Sequence, residues 1–500
     1  MEPQRTGIVL RPDEKRVFFR AFEPSDDRRI LKLFGRVMAM SDTDAEELAD
    51  EVLAEFGDRH SNLSDFFEQR YEIARRHRFS DLALGEAKRI LLGAHLTQEY
   101  ALEAAALFNP SMVAHPDQTG VPDGSIRFIA SLRATGEGHV SSITFREGLV
   151  DSNGMVHIDE PSRYVAAGRI EPLPDYQKGA FSQKMFELGF DIPFTRTLLD
   201  ELSDEFTFPE LESVVNRARR GDRNLAATDR QAADAMINLA RSNYSLHFDP
   251  DQAVSERVMF PAVSIEGRGM EDARFVEFIG EHGEKTYYGT YTAYDGHNLF
   301  TRLIETRDFI NFKVNTLFGS QIENKGMALF PRKVNGKYAM ISRQDNENLY
   351  LMYSDRLHFW DRKEILLRPT FPWEFVQVGN CGSPIETDAG WLIITHGVGA
   401  MRKYVIGAAL LDLDDPSQVI GRLPDPLLSP NEAEREGYVP NVVYSCGSMV
   451  HQGRLVVPYA MSDQCSTFAT FDLDELVENL LKAGPDGSGL QPLALSAGTD

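Results

Sequence analysis

A carboxylate beside a guanidinium in a glycine-flanked turn is the first group with a chemical look: Glu271-Asp272-Ala273-Arg274 follows Gly267-Arg268-Gly269. Such an acid can have its ionisation set by the neighbouring charge and by burial, or it can be a solvated turn salt bridge. Arg127 and Arg133 stand six apart in a strand-like run, on one face if the run is a strand. That face is either a solvent edge or the wall of a cleft for an anion or a sugar. Lys325, in Asn324-Lys325-Gly326-Met327-Ala328-Leu329-Phe330-Pro331-Arg332, and Arg343 bracket a hairpin-like turn at Val334-Asn335-Gly336-Lys337. The turn brings the two cations onto adjoining strands, a pair that can hold a phosphate. His396 ends an apolar run with no metal-ligand spacing around it, and by itself reads as a core histidine. Pro440-Asn441 and Asp463 lie at comparable strand-to-loop junctions.

The elements that must position these groups are strands. Runs at 125–132, 285–292, 337–342, 349–353, 391–395, 404–411 and 454–459 are rich in β-branched and aromatic residues and bounded by Gly, Asp and Asn. They recur without helices between them, as in an all-β sandwich, barrel or propeller. A weak repeat favours the propeller. Ser354-Asp355-Arg356-Leu357-His358-Phe359-Trp360 resembles Thr306-Arg307-Asp308-Phe309-Ile310-Asn311-Phe312, each after a strand pair, as in the outer part of a blade.

Two stretches read as helix. In the first hundred residues Thr43 and Glu46 have capping-box spacing ahead of Leu48, Val52, Leu53 and Phe56; residues 64–77 carry Phe66, Phe67, Tyr71 and Ile73 among charges; and 82–108 is rich in Ala and Leu. Helical spacing returns from about 172 to 243, clearest at 228–240, where Ala232, Met236, Ile237 and Leu239 cluster. With those roughly 80 residues set aside, the β region holds about 280, enough for five blades of about 55. The expected organisation is a helical domain over 1–105, a β body over 106–475 interrupted at about 172–243, and a C-terminal tail over 476–500.

Composition narrows the partners. Lys and Arg number 52 against 76 Asp and Glu, a net charge of −24, which argues against nucleic acid and anionic membranes. Hydrophobic residues at 42% and aromatics at 10% supply a core. The N-terminus lacks the apolar stretch of a signal segment and no window nears about 18 apolar residues, so a soluble, cytoplasmic protein is expected. Cys381, Cys446 and Cys465 are an odd set without CxxC, and read as reduced thiols rather than disulfides or a zinc site. GxGxxG, P-loop, GxSxG and kinase signatures are missing, against nucleotide-dependent and serine-hydrolase chemistry.

Taken in order, the landmarks say more than any one of them. Asn109-Pro110-Ser111, Arg127 and Arg133, Glu271-Asp272-Ala273-Arg274, Asn324-Lys325 with Leu329-Phe330-Pro331, Gly390-Trp391-Leu392 with His396-Gly397-Val398, Leu410-Leu411-Asp412-Leu413-Asp414-Asp415-Pro416, Val439-Pro440-Asn441-Val442-Val443 and Asp463 together resemble glycoside hydrolase family 130. These are the β-mannoside phosphorylases and related mannosidases. The likeness spans about residues 105–475 apart from the helical block. It implies an all-β five-bladed β-propeller, here with an N-terminal helical domain and a helical insertion.

The resemblance further implies that Asp272 is the general acid, with Ala273 where the family has Pro. It assigns Asn109, Ser111, Arg127, Arg133 and Asp463 to the mannosyl unit, and Lys325, Arg343, His396, Tyr404 and Asn441 to phosphate. One position departs: the family's phosphorylases usually carry a Lys where this chain has Gln377. The expected partners are a β-mannoside oligosaccharide and inorganic phosphate as co-substrate, with no metal and no other cofactor. The reaction so implied is inverting attack of phosphate to give α-mannose 1-phosphate, the acid relaying its proton through the sugar 3-hydroxyl. A β-mannosidase using water and a non-catalytic carbohydrate-binding propeller are the alternatives. The helical regions either pack on the propeller, form a homo-oligomer interface, or shape an acceptor subsite.

Overall fold

Short strands with apolar side chains on both faces are stable only when stacked sheet on sheet, and that need organises the chain. The computed structural model describes residues 1–22, 24, 26–75, 83–221 and 225–489. It is an all-β body with helices attached. Ala106–Ala114, Ile126–Thr135 and Ser141–Val150 form a first antiparallel run. Gly269–Ile279, Lys285–Tyr294, Leu299–Thr306 and Asn311–Thr316 form a second, joined to the first in one twelve-stranded sheet through the parallel pair Gly269↔Ser141. A third comprises Lys325–Leu329, Tyr338–Arg343, Leu349–Ser354 and Glu364–Leu367; a fourth, Gln377–Asn380, Gly390–Val398, Tyr404–Leu411 and Val419–Arg422. The last contains Val443–Tyr444, Arg454–Met461 and Cys465–Asp472, and its outer strand is Gln4–Leu10 from the other end of the chain.

The leading strands of these runs are neighbours. Ser111 forms a parallel bridge with Gly447, and Cys446 N donates to Pro110 O at 2.8 Å, which sets the last run beside the first. Ser111 Oγ accepts from Phe275 N at 3.0 Å, and Asn380 Nδ2 donates to Gly326 O at 2.5 Å. Backbones approach closely here: Gly382 sits at φ 116°, where an added Cβ would lie 2.5 Å from Cys446 O. Between runs the cores are dry, with Trp360 among Leu303, Met327 and Met340, and Trp391 among Phe330, Ile341 and Ile393. Each indole N–H is satisfied by a carbonyl, Leu357 O at 2.8 Å and Leu413 O at 3.0 Å.

Four of the five runs begin just after a buried glutamate. Glu103, Glu266, Glu374 and Glu434 are all buried, and each is held by donors that converge on it. Glu103 takes Arg16 Nε at 3.0 Å and Arg146 Nη2 at 2.7 Å; Glu266, Tyr244 Oη at 3.1 Å and Ala262 N at 2.9 Å. Glu374 takes Arg422 Nη2 at 2.6 Å and Thr370 N at 2.8 Å; Glu434, Arg5 Nε at 2.8 Å and Tyr459 Oη at 2.6 Å. For Glu103, Glu374 and Glu434 an arginine comes from another strand of the same sheet run (Arg146, Arg422 and Arg5), so the pair ties the start of a run to its outer part.

The helices depart from the expected pattern in detail. In the first hundred residues α1 (Asp27–Met38), α2 (Asp42–Phe56), α3 (Leu63–Ala74) and α4 (Glu86–His95) pack around Phe34, Ala45, Phe67 and Leu92. The cap of α2 is Ser41, whose Oγ accepts from Asp44 N at 3.1 Å, and not Thr43. The stretch read as helix at 82–108 turns into strand: Thr97–Ala101 pairs with Val17–Ala21, because Tyr100 buries against Phe18 and Phe260 only in an extended chain. Residues 76–82, inside two of the expected helical stretches, lie outside the described residues. The later block holds α5 (Lys178–Glu187), α6 (Pro193–Asp200), α7 (Phe208–Gly221) and α8 (Ala227–Ser242), where Ala232, Met236, Ile237 and Leu239 are buried as their spacing predicts. It is pinned to the β body by Thr316 N donating to Asn243 Oδ1 at 2.6 Å and Gly319 N to Glu187 Oε1 at 2.8 Å. Most of α9 (Leu473–Ala483) falls in the stretch expected as a tail, and buries Leu476 and Leu480; residues 490–500 lie outside the described residues. The repeat at 306–312 and 354–360 marks equivalent turns after third strands, with Phe309 N donating to Thr306 Oγ1 at 3.0 Å and Arg356 N to Ser354 Oγ at 3.1 Å. No helix of the described residues is long and apolar enough to cross a membrane, and all three cysteines are buried and free.

A buried charge stripped of its partner costs about 3–5 kcal/mol, whereas replacing both partners is nearly neutral. Arg422→Met is therefore expected to lower the unfolding free energy by about that much in urea denaturation, and Glu374→Gln added to it to recover most of the loss.

Candidate active site

Regular pleating would send successive side chains to opposite faces, so a strand that aims two neighbours into one space needs a bulge. Three leading strands carry one at the same end. The register breaks between Phe108 and Ser111, between Glu271 and Arg274, and between Lys325 and Ala328. In the first two a non-glycine residue takes a left-handed backbone, Asn109 at φ 50° and Asp272 at φ 53°; in the third, Gly326 stands at φ 83°. Asn and Asp tolerate this region better than other side chains, at a cost of order 1 kcal/mol each. Asn441 (φ 64°) and Asp463 (φ 52°) share it in the last run.

The bulges converge on Asp272. Its buried Oδ1 accepts from Asn109 Nδ2 at 2.7 Å and from Arg133 Nη1 at 3.3 Å, while Arg133 Nη2 donates to Glu271 Oε1 at 2.7 Å. Arg133 also lies over the Phe108 ring at 4.9 Å and donates to Ser141 Oγ at 2.9 Å. Arg274 crosses beneath, Nη1 on the Asp272 carbonyl at 2.8 Å, Nη2 on Tyr444 Oη at 2.6 Å and Nε on Asn380 Oδ1 at 3.2 Å. Burial pushes the Asp272 carboxyl up, but Arg133, Lys325, Arg274 and the Asn109 hydrogen bond together outweigh it and hold the group well below the usual carboxylate range. Asp463 goes the other way. Burial first, then the charge of Asp272, raise it to about 6, with Arg133 and Lys325 offsetting only part.

The cations stand where the hairpin put them. Asn335 (φ 51°) and Gly336 (φ 77°) make the two-residue turn with both φ positive, and further along the hairpin the register shift between Lys325 and Ala328 sets Lys325 directly opposite Arg343. Arg343 Nη1 donates to His396 Nε2 at 3.1 Å, and His396 Nδ1 donates to Asn380 O at 3.1 Å. Burial, then Arg343 and Arg274, hold the imidazole well below its ordinary range, so it is neutral. Gln377, its amide NH2 on Asn346 O at 3.2 Å and its oxygen facing Arg343, keeps that guanidinium against His396. Tyr404 stacks on His396 with centroids 6.0 Å apart. Asn441 is tied to the same corner through Tyr404 N, which donates to its carbonyl at 3.0 Å, and its Oδ1 accepts from Arg435 Nε at 2.7 Å.

One residue expected here lies elsewhere, and another, Ser111, is beside the site but engaged in a strand contact. Arg127 and Arg133 do share a strand face, but six residues at about 3.3 Å each separate them by about 20 Å. Arg127 sits at the far end, donating to Asp117 O at 3.2 Å and Thr119 O at 3.4 Å in an exposed loop. Ser111 is buried with its hydroxyl engaged by Phe275 N, and locks strands together. Conversely Arg274, Tyr444, Asn380 and Glu271 belong to the network without having been assigned to it. Glu271 and Arg274 are visible as flanks of Asp272 in its motif, whereas Asn380 and Tyr444 have no signal beyond a polar side chain in a short leading strand. Asn109 Oδ1 and Arg343 Nε are buried with no partner among the described residues, so donors and acceptors are left over at the centre of the site. No cluster of three or more His, Cys, Asp or Glu among the described residues could hold a metal ion.

An Asp standing near 6 instead of 3.8 holds its proton in the folded chain while the unfolded chain has lost it, so stability falls as pH rises from about 4 to about 6. The penalty above that window is at most about 3 kcal/mol. Asp463→Asn is expected to raise the melting temperature at pH 8 and to do so by about half as much at pH 5, read by calorimetry in the two buffers.

The family model described as beta-1,4-mannooligosaccharide phosphorylase, glycoside hydrolase family 130, matches residues 226–482. The chain is 36% identical to a 1,2-beta-oligomannan phosphorylase of Thermoanaerobacter sp. (strain X514) over 226 residues, 44% of this chain and 73% of that one. It is 32% identical to a beta-1,2-mannobiose phosphorylase of Listeria innocua serovar 6a over 253 residues, 49% of this chain and 68% of that one. Among solved structures, the Listeria innocua beta-1,2-mannobiose phosphorylase in complex with beta-1,2-mannobiose aligns over 75% of this chain and 92% of its own, at 21% identity and a TM-score of 0.45. With more than half of its length matched by that family model, and relatives of this identity covered over two thirds of their length, the chain belongs to glycoside hydrolase family 130.

Proposed function

We propose that this chain is an inverting phosphorylase of β-mannosides. The observation that carries the reading is one buried carboxylate on a strained bulge, Asp272, with Arg133, Arg274 and Lys325 around it and Arg343 paired to Lys325. That is a proton carrier within a concentration of positive charge; the second carboxyl of the site, Asp463, is raised to about 6 and is assigned below to the sugar. An inverting hydrolase needs a second carboxylate to activate water, set roughly 6.5–9.5 Å from the acid. Phosphate is already an anionic nucleophile and needs only to be held in line. The phosphorylase names of the relatives support the same choice.

In this reading Asn109, Arg133 and Asp463 hold the mannosyl unit, and Lys325, Arg343, His396, Tyr404 and Asn441 hold phosphate. Neutral His396 orients Arg343 without adding a charge. A phosphate oxygen bonds to the anomeric carbon from the face opposite the departing oxygen, and the bond from that carbon to the acceptor oxygen breaks. The Asp272 proton passes to the sugar 3-hydroxyl, whose own proton goes to the departing oxygen. The product is α-mannose 1-phosphate.

Asp272 is ionised in the empty site and must gain a proton before it can give one. Bound phosphate offsets the charge of Lys325, and bound sugar removes water; both raise the carboxyl. The acid thus carries its proton only when both substrates are in place. For architecture, the five strand runs read as five propeller blades closed by the Ser111↔Gly447 bridge, over 106–475, with the helical domain at 1–105 and the insertion at about 172–243.

Gln377 favours a second reading, hydrolysis, since a neutral side chain stands where the family's phosphorylases usually have a cation. Reducing-sugar release from β-1,2- and β-1,4-mannobiose is expected to require inorganic phosphate; equal rates without it would leave the hydrolase. Asp272→Asn is expected to lower kcat by about a hundred- to ten-thousandfold while calorimetry still detects sugar binding. Lys325→Ala is expected to raise KM for phosphate at least tenfold with a much smaller effect on KM for the sugar.

A further inference from the structure

The helical insertion and the β body leave a gap where they meet. Between α5, α8 and the sheet face of Leu299–Thr306 and Asn311–Thr316 lies a cavity of about 210 Å³. Its walls are mostly apolar: Leu188 and Phe190 after α5, Leu239 on α8, and Ile265, Phe300 and Leu317 from the β body. Leu188 and Leu299, 40% and 39% exposed, stand at its mouth.

Two polar side chains also line the cavity, and each has an atom left over. Arg302 has no exposed surface, and Thr316 is its direct partner across the antiparallel pair, so the two side chains stand side by side on one face. Arg302 Nε donates to Asn315 O at 3.2 Å, and Nη2 donates to the carbonyl of Ser242, the last residue of α8. Arg302 Nη1 and Thr316 Oγ1 are buried with no partner among the described residues. The charges nearby are already engaged. Glu266 is bonded by Tyr244 Oη at 3.1 Å, by Tyr291 Oη and by Ala262 N at 2.9 Å, while Lys184 is paired with Glu187 at 3.0 Å.

Both acceptors of Arg302 are thus carbonyls, and the half-charge of a helix end offsets only part of a guanidinium. A buried charge without a counter-ion is costly, and arginine does not shed its proton to escape the cost. A water between Nη1 and Oγ1 would complete hydrogen bonds and leave the charge. An anion removes both deficits.

We infer that this cavity is a binding site for a small carboxylate with an apolar body, of the class of branched-chain or aromatic monocarboxylic acids. The carboxylate accepts from Arg302 Nη1 and Thr316 Oγ1, and the apolar body fills the space among Phe190, Leu239, Ile265 and Phe300. The size agrees, since an apolar cavity of about 150 Å³ takes a benzene ring and this one has room for a carboxylate besides. A free sugar or phosphate fits poorly, because the same walls would leave most of its oxygens without partners. The cavity shares no side chain with the network around Asp272, and its ligand does not depend on the reaction assigned there.

The test is calorimetric titration of the full chain with 4-methylpentanoate, with benzoate, and with the uncharged amide of each. One saturable site is expected for at least one acid, its amide binding at least about tenfold more weakly. Thr316→Val, which removes only an unpartnered hydroxyl, is expected to weaken acid binding about fivefold, and Ala235→Phe, which fills the cavity from α8, to abolish it. Lys325→Ala, which removes a cation from the neighbourhood of Asp272, is expected to bind the acid as the wild type does. No saturable heat with either acid overturns the proposal, and so does equal binding of acid and amide, a comparison that needs no variant. Undiminished binding in either cavity variant, or its loss in Lys325→Ala, places the anion elsewhere and overturns it as well.

Discussion

An ionised carboxylate out of water is tolerable only among charges that compensate it, and the site of this protein is built around that demand. Asp272 lies in a buried bulge with its side chain on Arg133 and Asn109 and its own carbonyl on Arg274. Those partners come from three different strands, and Arg274 reaches on to Asn380 and Tyr444 in two more runs. One group thus ties leading strands together and fixes the floor of the site. The same cations that make its burial possible are the ones an anionic substrate would meet, so stability and chemistry share one set of side chains.

The surrounding scaffold repeats this solution without chemistry. Glu103, Glu266, Glu374 and Glu434 are buried acids just ahead of leading strands, each bonded by arginine, tyrosine or backbone N–H donors. Buried ion pairs add little net stability over a hydrophobic replacement, but an unpaired buried charge is costly, which disfavours other arrangements of the runs that carry such a pair. The N-terminal strand Gln4–Leu10 uses the same device through Arg5 and Glu434, which fastens the first residues of the chain to the last run. A net charge of −24 is compatible with an anion site because cations matter only where they are concentrated, and at Lys325, Arg343, Arg133 and Arg274 they are.

The proton balance of the site follows from two carboxyls in unequal company. Asp272 has three cations near it and stays ionised; Asp463 has the charge of Asp272 to contend with and rises to about 6. Neither value is a property of the residue type. Each is set by which strand ends meet, and each would move when a charged substrate joins them.

Much was legible before any coordinates. Period-two runs separated by turn residues are read from local sterics, so the β body could be seen in the sequence, and so could the helices of 178–242 from their 3.6-residue spacing. Val334-Asn335-Gly336-Lys337 showed that the two cations lie on adjoining strands, but their direct pairing, Lys325 against Arg343, also needs the register shift between Lys325 and Ala328. What spacing could not convey was position along a shared face. Arg127 and Arg133 have the right parity but stand at opposite ends of a strand, and only one reaches Asp272. Nor could it show that Thr97–Ala101 leaves the helical pattern to pair with Val17–Ala21, or that Arg274, Asn380 and Tyr444 meet across runs some 60 to 170 residues apart. Local elements follow from short-range dihedral and packing preferences, which the residue order carries. The site exists only where distant strand ends are pressed together, and that is decided by burial and charge compensation in the folded chain.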